Sequence, residues 1–207
     1  FSDFNVATQV KLSVQLIQDE RVGLQGVLPE LLGERHGRKL NALFTTGAGT
    51  TEPTGFVTDA TTGENAGASA ITRANIIDLM HSVDIAYRNN PAAAFMMNDS
   101  TVAYIKKLSI GSGDDRPLWS PSMREGGPAT LEGKPYFVNN DMAAIGTGNK
   151  SVAFGDWSKY IIRRVGGDVL VRLNERYMDE LEVGFILYGR YDGKLINTAA
   201  IKVIEHA

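Results

Sequence analysis

The 207-residue chain has no cysteine, which excludes disulfides and thiolate metal sites. No apolar run approaches the roughly 18 residues that a membrane-spanning helix needs, and no signal-peptide pattern opens the sequence. Histidine is scarce: His36, His81 and His206 stand far apart, and none falls in H-x-x-H or H-E-x-x-H spacing. A G-x-S-x-G elbow is missing as well. Charge of one sign is also lacking, since 21 basic and 24 acidic residues leave a net −3 and a pI near 5.7. Gripping nucleic acid by phosphate neutralisation usually takes a basic face and a high pI, so that class is disfavoured. What remains, 43% hydrophobic and 22% charged residues, is the composition of an ordinary globular protein with a core for one or two domains.

The most distinctive stretch runs from Leu43 to Phe56, reading Leu-Phe-Thr-Thr-Gly-Ala-Gly-Thr-Thr-Glu-Pro-Thr-Gly-Phe. It follows a segment from Leu24 to Leu43 in which Leu24, Leu28, Leu31, Leu32, His36, Leu40, Leu43 and Phe44 recur at helical spacing. Glycines and a proline then stop that helix. A phosphate loop is a poor fit, because no lysine follows Gly55 and the order is helix then loop. The dinucleotide pattern fails too, with Glu52 at its last glycine position. His36 on the apolar stripe reads as a packed side chain rather than a ligand.

Elsewhere the periods are plainer. Alternation from Val10 to Leu16 predicts a strand with one buried face. Residues 57–72, rich in Thr, Ala, Gly and Asn, read as a surface loop. Thr72 or Asn75 caps a helix running from Ile76 to Tyr87, stopped at Asn89-Asn90-Pro91. Ala94 to Asn98 reads as a buried strand, and Asp99 or Ser100 caps a helix through Val102, Ile105 and Leu108. Ser109 to Glu132 is an unusually long loop, with Trp119 as its anchor. Strands follow at Pro135–Val138 and Ser151–Phe154. Gly166-Gly167-Asp168 between Tyr160–Val165 and Val169–Leu173 predicts a hairpin turn. Glu182–Leu187 and Ala199–Ile204 close the chain as strands, with Asp192-Gly193 as a turn between them.

A leucine-bearing helix running into this glycine-proline loop resembles the major capsid proteins of tailed bacteriophages. Three later blocks carry the resemblance in order: Leu131-Glu132-Gly133-Lys134-Pro135, Phe154 to Tyr160, and Gly189-Arg190-Tyr191-Asp192-Gly193-Lys194. It spans essentially the whole chain. It implies an α+β subunit with a peripheral domain, made of a long spine helix and an elongated sheet, and an axial domain with a central sheet flanked by helices. The expected boundaries are residues 1–53 peripheral, 54–158 axial, 159–196 peripheral and 197–207 returning to the axial domain. The resemblance makes Val10–Leu16 the return strand of an extended loop, and Ser109–Glu132 the loop at the centre of a capsomer. The chain opens on Phe1 rather than Met, which reads as a fragment or processed form. A scaffold segment, an N-terminal arm and most of the extended loop are then expected before it.

The implied function is structural. Copies assemble into pentamers and hexamers and close into an icosahedral shell around double-stranded DNA, which is enclosed without specific binding. The expected partners are other copies of the chain, a scaffold, a portal and a maturation protease, with no membrane. Its expected place is the virion capsid, assembled in the host cytoplasm. The alternative is the shell of an encapsulin-like cellular nanocompartment. No catalytic, cofactor or metal residues are assigned. Asp114-Asp115 and Asp179-Glu180-Glu182 read as solvated charges. Isopeptide cross-linking, known in this fold, is unsupported: Phe1 to Gln9 hold no lysine and Met178 to Val183 no asparagine. Arg163, Arg164, Arg172, Arg176 and Arg190 suit either contacts between subunits or ordinary strand charge. Gly33 and Gly37, one turn apart within the apolar stripe, suggest either close packing or a place where the helix bends.

Overall fold

A computed structural model describes residues 2–19, 23–111, 114–117 and 130–207. In chain order its elements are β1 (Phe4–Ser13), α1 (Val14–Asp19), α2 (Leu24–Thr46), α3 (Phe56–Asp59), β2 (Thr61–Ala66), α4 (Arg73–Ser82), α5 (Ile85–Arg88), β3 (Ala93–Met97), α6 (Asp99–Lys106), β4 (Ser109–Gly111), β5 (Asp114–Pro117), β6 (Thr130–Leu131), β7 (Lys134–Val138), β8 (Lys150–Asp156), β9 (Tyr160–Leu173), β10 (Glu182–Leu195) and β11 (Ile201–His206). The chain divides into two compact units, Phe1–Gly55 with Ile162–Lys194 and Phe56–Ile161 with Leu195–Ala207.

The first unit is built on a three-stranded sheet of order β1-β10-β9. β1 pairs antiparallel with β10 from Phe4↔Tyr191 to Ser13↔Glu182. Helix α2 covers the sheet with Leu28 and Leu32 against Val183 and Phe185, and with Leu43 against Val6 and Tyr191. The stripe is narrower than its spacing predicts, because Leu31 is 57% exposed. Gly33 and Gly37 do not lie within it: both are exposed, and a Cβ on either meets nothing within 4 Å. Pro29 sits inside the helix, where it lacks the N–H that would reach one turn back.

Several expected elements in this unit are corrected. The strand expected through Leu16 ends at Ser13, and Val14–Asp19 is a short helix whose first residue donates its N–H to the Leu181 carbonyl at 2.9 Å. Gly166-Gly167-Asp168 is not a turn, since β9 runs through it as a single strand. Asp192-Gly193 is likewise inside β10 rather than between strands. The reversal lies instead between Leu173 and Glu182, around a 3₁₀ turn at Met178–Glu180.

The second unit holds a six-stranded sheet of order β2-β11-β8-β3-β7-β6. Phe95, Phe154, Met97, Val152 and Ile204 face α4 and α6 in one buried cluster. Ala153, Ile201, Val203 and Met142 join Phe56 in the other. The strand β2 falls where a surface loop was expected, and it pairs in parallel with β11. Its sequence, Thr-Thr-Gly-Glu-Asn-Ala, has no apolar alternation to announce it.

The helix expected from Ile76 to Tyr87 is two helices, broken at Val83 and restarted by the Asp84 cap on Ala86 N–H. Thr72 caps α4, and Asn75 completes a reciprocal capping box with it. The cap of α6 is Asn98, one residue before the expected Asp99 or Ser100. Strands β3, β7 and β8 lie where the sequence places them. β4 and β5 pair with each other, while Trp119 lies outside the described residues.

Candidate assembly surfaces

The glycine-proline loop closes on itself. Gly47 N–H donates to the Leu43 carbonyl at 2.8 Å and Gly55 N–H to the Gly47 carbonyl at 2.9 Å. Thr54 N–H reaches the Gly193 carbonyl at 3.2 Å, and Ala48 N–H reaches Glu52 Oε1 at 3.0 Å. These donors are spent on the loop and on β10, so they do not converge on an anion. Gly55 is required there because a Cβ would lie 2.5 Å from the Thr45 carbonyl carbon and from Thr46 N.

His36 is on the buried face of α2, with Nδ1 3.2 Å from Thr8 Oγ1 and its ring 5.8 Å from that of Tyr191. His206 Nε2 lies 2.7 Å from Ser151 Oγ, and its Nδ1 lies 2.7 Å from the Gly67 carbonyl, inside the second unit. His81 is at the surface beside Arg88. The three rings are thus used separately. Buried Asp156 accepts from Asn90 Nδ2 at 2.8 Å and Ser158 N at 3.0 Å, which ties two turns together. No group of three or more metal-ligating side chains occurs among the described residues.

The first unit shows why Gly-Gly-Asp belongs inside a strand. Gly166 takes a left-handed φ of +74° within β9, a conformation that glycine adopts without strain. Two residues on, Asp168 accepts from the Tyr191 hydroxyl and from Arg164 Nη2 at 2.8 Å. Burial, then the hydrogen bond and charge of Asp168, push the Tyr191 phenol up to about 12. A Cβ on Gly189 would overlap both the Asp168 carboxylate and the Tyr191 ring. Sequence reasoning missed this arrangement, because its residues spell a turn.

Of the five arginines, Arg163 and Arg190 share Asp3 at 3.2 and 4.0 Å, and Arg164 holds Asp168. Arg172 instead lies 5.8 Å from the Phe185 ring centre, and Arg176 lies 5.5 Å from that of Tyr177. These two have no carboxylate partner among the described residues. With Leu173, Asn174 and Glu175 they line a groove of about 560 Å³ at the hairpin turn. Ile162, Val169, Leu170, Met178 and Leu181 are exposed along the same hairpin.

A second missed cluster centres on Lys11. Its Nζ lies 2.6 Å from Glu180 Oε2, 3.1 Å from Glu182 Oε2 and 4.1 Å from the Tyr177 ring centre. The hydrogen bonds to Glu180 and Glu182 raise the Lys11 pKa, and the bond from Lys11 lowers that of Glu180. Glu180 and Glu182, read as solvated charge, therefore share one lysine. Asp114 and Asp115 lie on β5, where only the backbone is described.

A family model described as "Phage capsid family" matches residues 1–206. No curated protein sequence matches the chain. Among solved structures, the capsid of the empty GTA particle, computed with C5 symmetry, superposes with a TM-score of 0.84 at 26% identity, covering 99% of this chain and 74% of that one. The capsid of the native GTA particle gives the same score and identity, over 99% of this chain and 73% of that one. A structure from Gordonia phage Cozz superposes at 0.74 with 16% identity, over 100% of this chain and 71% of that one.

Proposed function

Because the chain belongs to the phage capsid family, we propose that copies of it form pentamers and hexamers that close into a shell around double-stranded DNA. The chain is a structural capsid subunit. The observation that carries the finer reading is the likeness over 99% of its length to particle capsids reconstructed with C5 symmetry. In this reading the unit Phe1–Gly55 with Ile162–Lys194 is the peripheral domain, and Phe56–Ile161 with Leu195–Ala207 is the axial domain. The exposed hairpin, with Arg172 and Arg176 lacking carboxylates among the described residues, is then a surface for neighbouring copies. A scaffold, a portal and a maturation protease complete the assembly, which takes place in the host cytoplasm. No catalysis is assigned to the subunit.

Electron microscopy of the protein expressed from its full reading frame tests this reading. Closed shells or rings are expected; a product that stays monomeric at every concentration and salt tried would overturn it. The 26% identity to GTA capsids favours a second, narrower reading, in which the shell is that of a gene transfer agent rather than an infectious phage. DNA extracted from purified particles separates the two: random host fragments support it, and a single viral genome refutes it. The family model that matches is that of phage capsids, which favours the capsid reading over a nanocompartment shell.

A further inference from the structure

The end of the β9–β10 hairpin holds a backbone conformation that its sequence does not favour. Leu181 takes φ +53° and ψ +41°, the left-handed region, where a Cβ crowds the following carbonyl. Its side chain is 60% exposed, so burial within the chain does not offset that strain. Such a residue persists only where its surroundings fix it. Leu181 N–H donates to the Met178 carbonyl at 3.2 Å, and the Leu181 carbonyl accepts from Val14 N–H at 2.9 Å. The N–H groups of Glu180 and Glu182 both donate to the Tyr177 carbonyl, at 3.1 and 3.0 Å. The turn is thus wound around Tyr177.

Tyr177 is itself held from β1. Its ring lies across Gly184, where a Cβ would stand 2.9 Å from Tyr177 Cε2. Lys11 is the cross-strand neighbour of Gly184, and its Nζ comes to 4.1 Å from the Tyr177 ring centre. The Tyr177 hydroxyl accepts from Gln9 Nε2 at 2.5 Å. The charged and titratable groups that face Lys11 are Tyr177, Glu180 at 2.6 Å and Glu182 at 3.1 Å, with Arg176 5.5 Å from the same ring. All of these contacts are open to solvent, so salt screens them. The bond from Lys11 holds Glu180 below its ordinary 4.5, so that contribution is complete above pH 4.5 and is lost as pH falls below it. Its bonds to Glu180 and Glu182 hold Lys11 above 10.5, so on the alkaline side the contribution is complete below pH 10.5 and is lost above it.

We propose that Gln9, Lys11 and Tyr177 form a latch that keeps this turn in a strained shape, and that salt or acid releases it. On release Leu181 leaves the left-handed region and the end of the hairpin opens. The latch sets the shape of the exposed hairpin but does not depend on what, if anything, docks there. Hydrogen exchange at the amides of Glu180, Leu181 and Glu182, read in the full chain before assembly, tests it. Lys11→Met should cut their protection by roughly fivefold at pH 7, while the β1–β10 ladder from Phe4 to Thr8 keeps its own. High salt should do the same to the wild-type chain. Adding Leu181→Gly to Lys11→Met should restore the protection, because glycine holds φ +53° without a Cβ. Unchanged protection in Lys11→Met would overturn the proposal, as would an equal loss along the whole ladder, which would mean general destabilisation. A double variant as unprotected as Lys11→Met would show that strain at Leu181 is not what the latch opposes. Should Lys11→Met fail to fold, the wild-type salt series decides, and protection that ignores salt would refute the latch.

Discussion

The two units solve the burial problem differently. In the second, helices cover a sheet whose central strand β8 is buried along almost its whole length. Its polar groups, Ser151, His206 and Asp156, are matched inside the unit. In the first, α2 covers a three-stranded sheet, and β9 has no fully buried residue. Two small apolar clusters under α2 are supplemented there by ion pairs and stacked cations around Lys11, Asp3 and Asp168. The central strand of the second unit is enclosed within the unit, while β9 in the first leaves Ile162, Val169 and Leu170 exposed. Core changes should therefore act on folding in the second unit, and surface changes in the first should act on assembly.

The largest expected effect breaks the second unit. Phe154 is fully buried, with its ring centre 4.4 Å from that of Phe95, so Phe154→Ala should cost about 3–5 kcal/mol in denaturant unfolding. A cost under about 1 kcal/mol would show that this core is less tightly packed than its burial implies.

A smaller effect, of opposite sign, is expected on α2. Gly33→Ala with Gly37→Ala should stabilise the isolated subunit by about 1–2 kcal/mol, since each glycine is exposed and its Cβ site is open. The open Cβ sites argue against packing within the chain as the reason for the two glycines, and bending of the helix is the hypothesis to test. The double variant should then assemble or mature poorly; normal shell formation by microscopy would remove the bending idea.

The smallest effect sharpens the account of the first unit. Tyr191→Phe removes the hydroxyl that donates to Asp168 and should cost about 1 kcal/mol. It should also change the alkaline limb. The folded phenol titrates at about 12 against an ordinary 10, so its contribution is complete below pH 10 and is lost as pH rises through 12. The variant should lack that loss in alkaline melting curves. Identical slopes in the two proteins would show that Tyr191 does not govern it.

Much of this architecture was legible from spacing alone. The period of α2 and the short apolar runs at β3, β7 and β8 each have a buried face that leaves a mark in the sequence. What misled was local chemistry overruled by long-range pairing. Asp192-Gly193 and Gly166-Gly167-Asp168 suit turns, yet each lies within a strand of 14 residues whose partner fixes it. Asp192 is buried and serves Ser2 N at 2.6 Å and Gly193 N at 2.8 Å. Its value is tertiary, and no window of neighbours reveals it. β2 stayed hidden because it is polar and completes a sheet edge. The Lys11 cluster stayed hidden because its members are about 170 positions apart.

The left-handed backbone at Gly166 also bears on how the free chain stays soluble. A flat outer strand of 14 residues, with Ile162, Val169 and Leu170 exposed, would be a template for fibrils at high protein concentration. The left-handed residue interrupts that template near its middle. Arg163 and Arg164 on one side and Arg172 on the other put charge on both halves. Nascent copies can thus accumulate in solution with an adhesive strand on view, kept from stacking indiscriminately by one glycine and three cations.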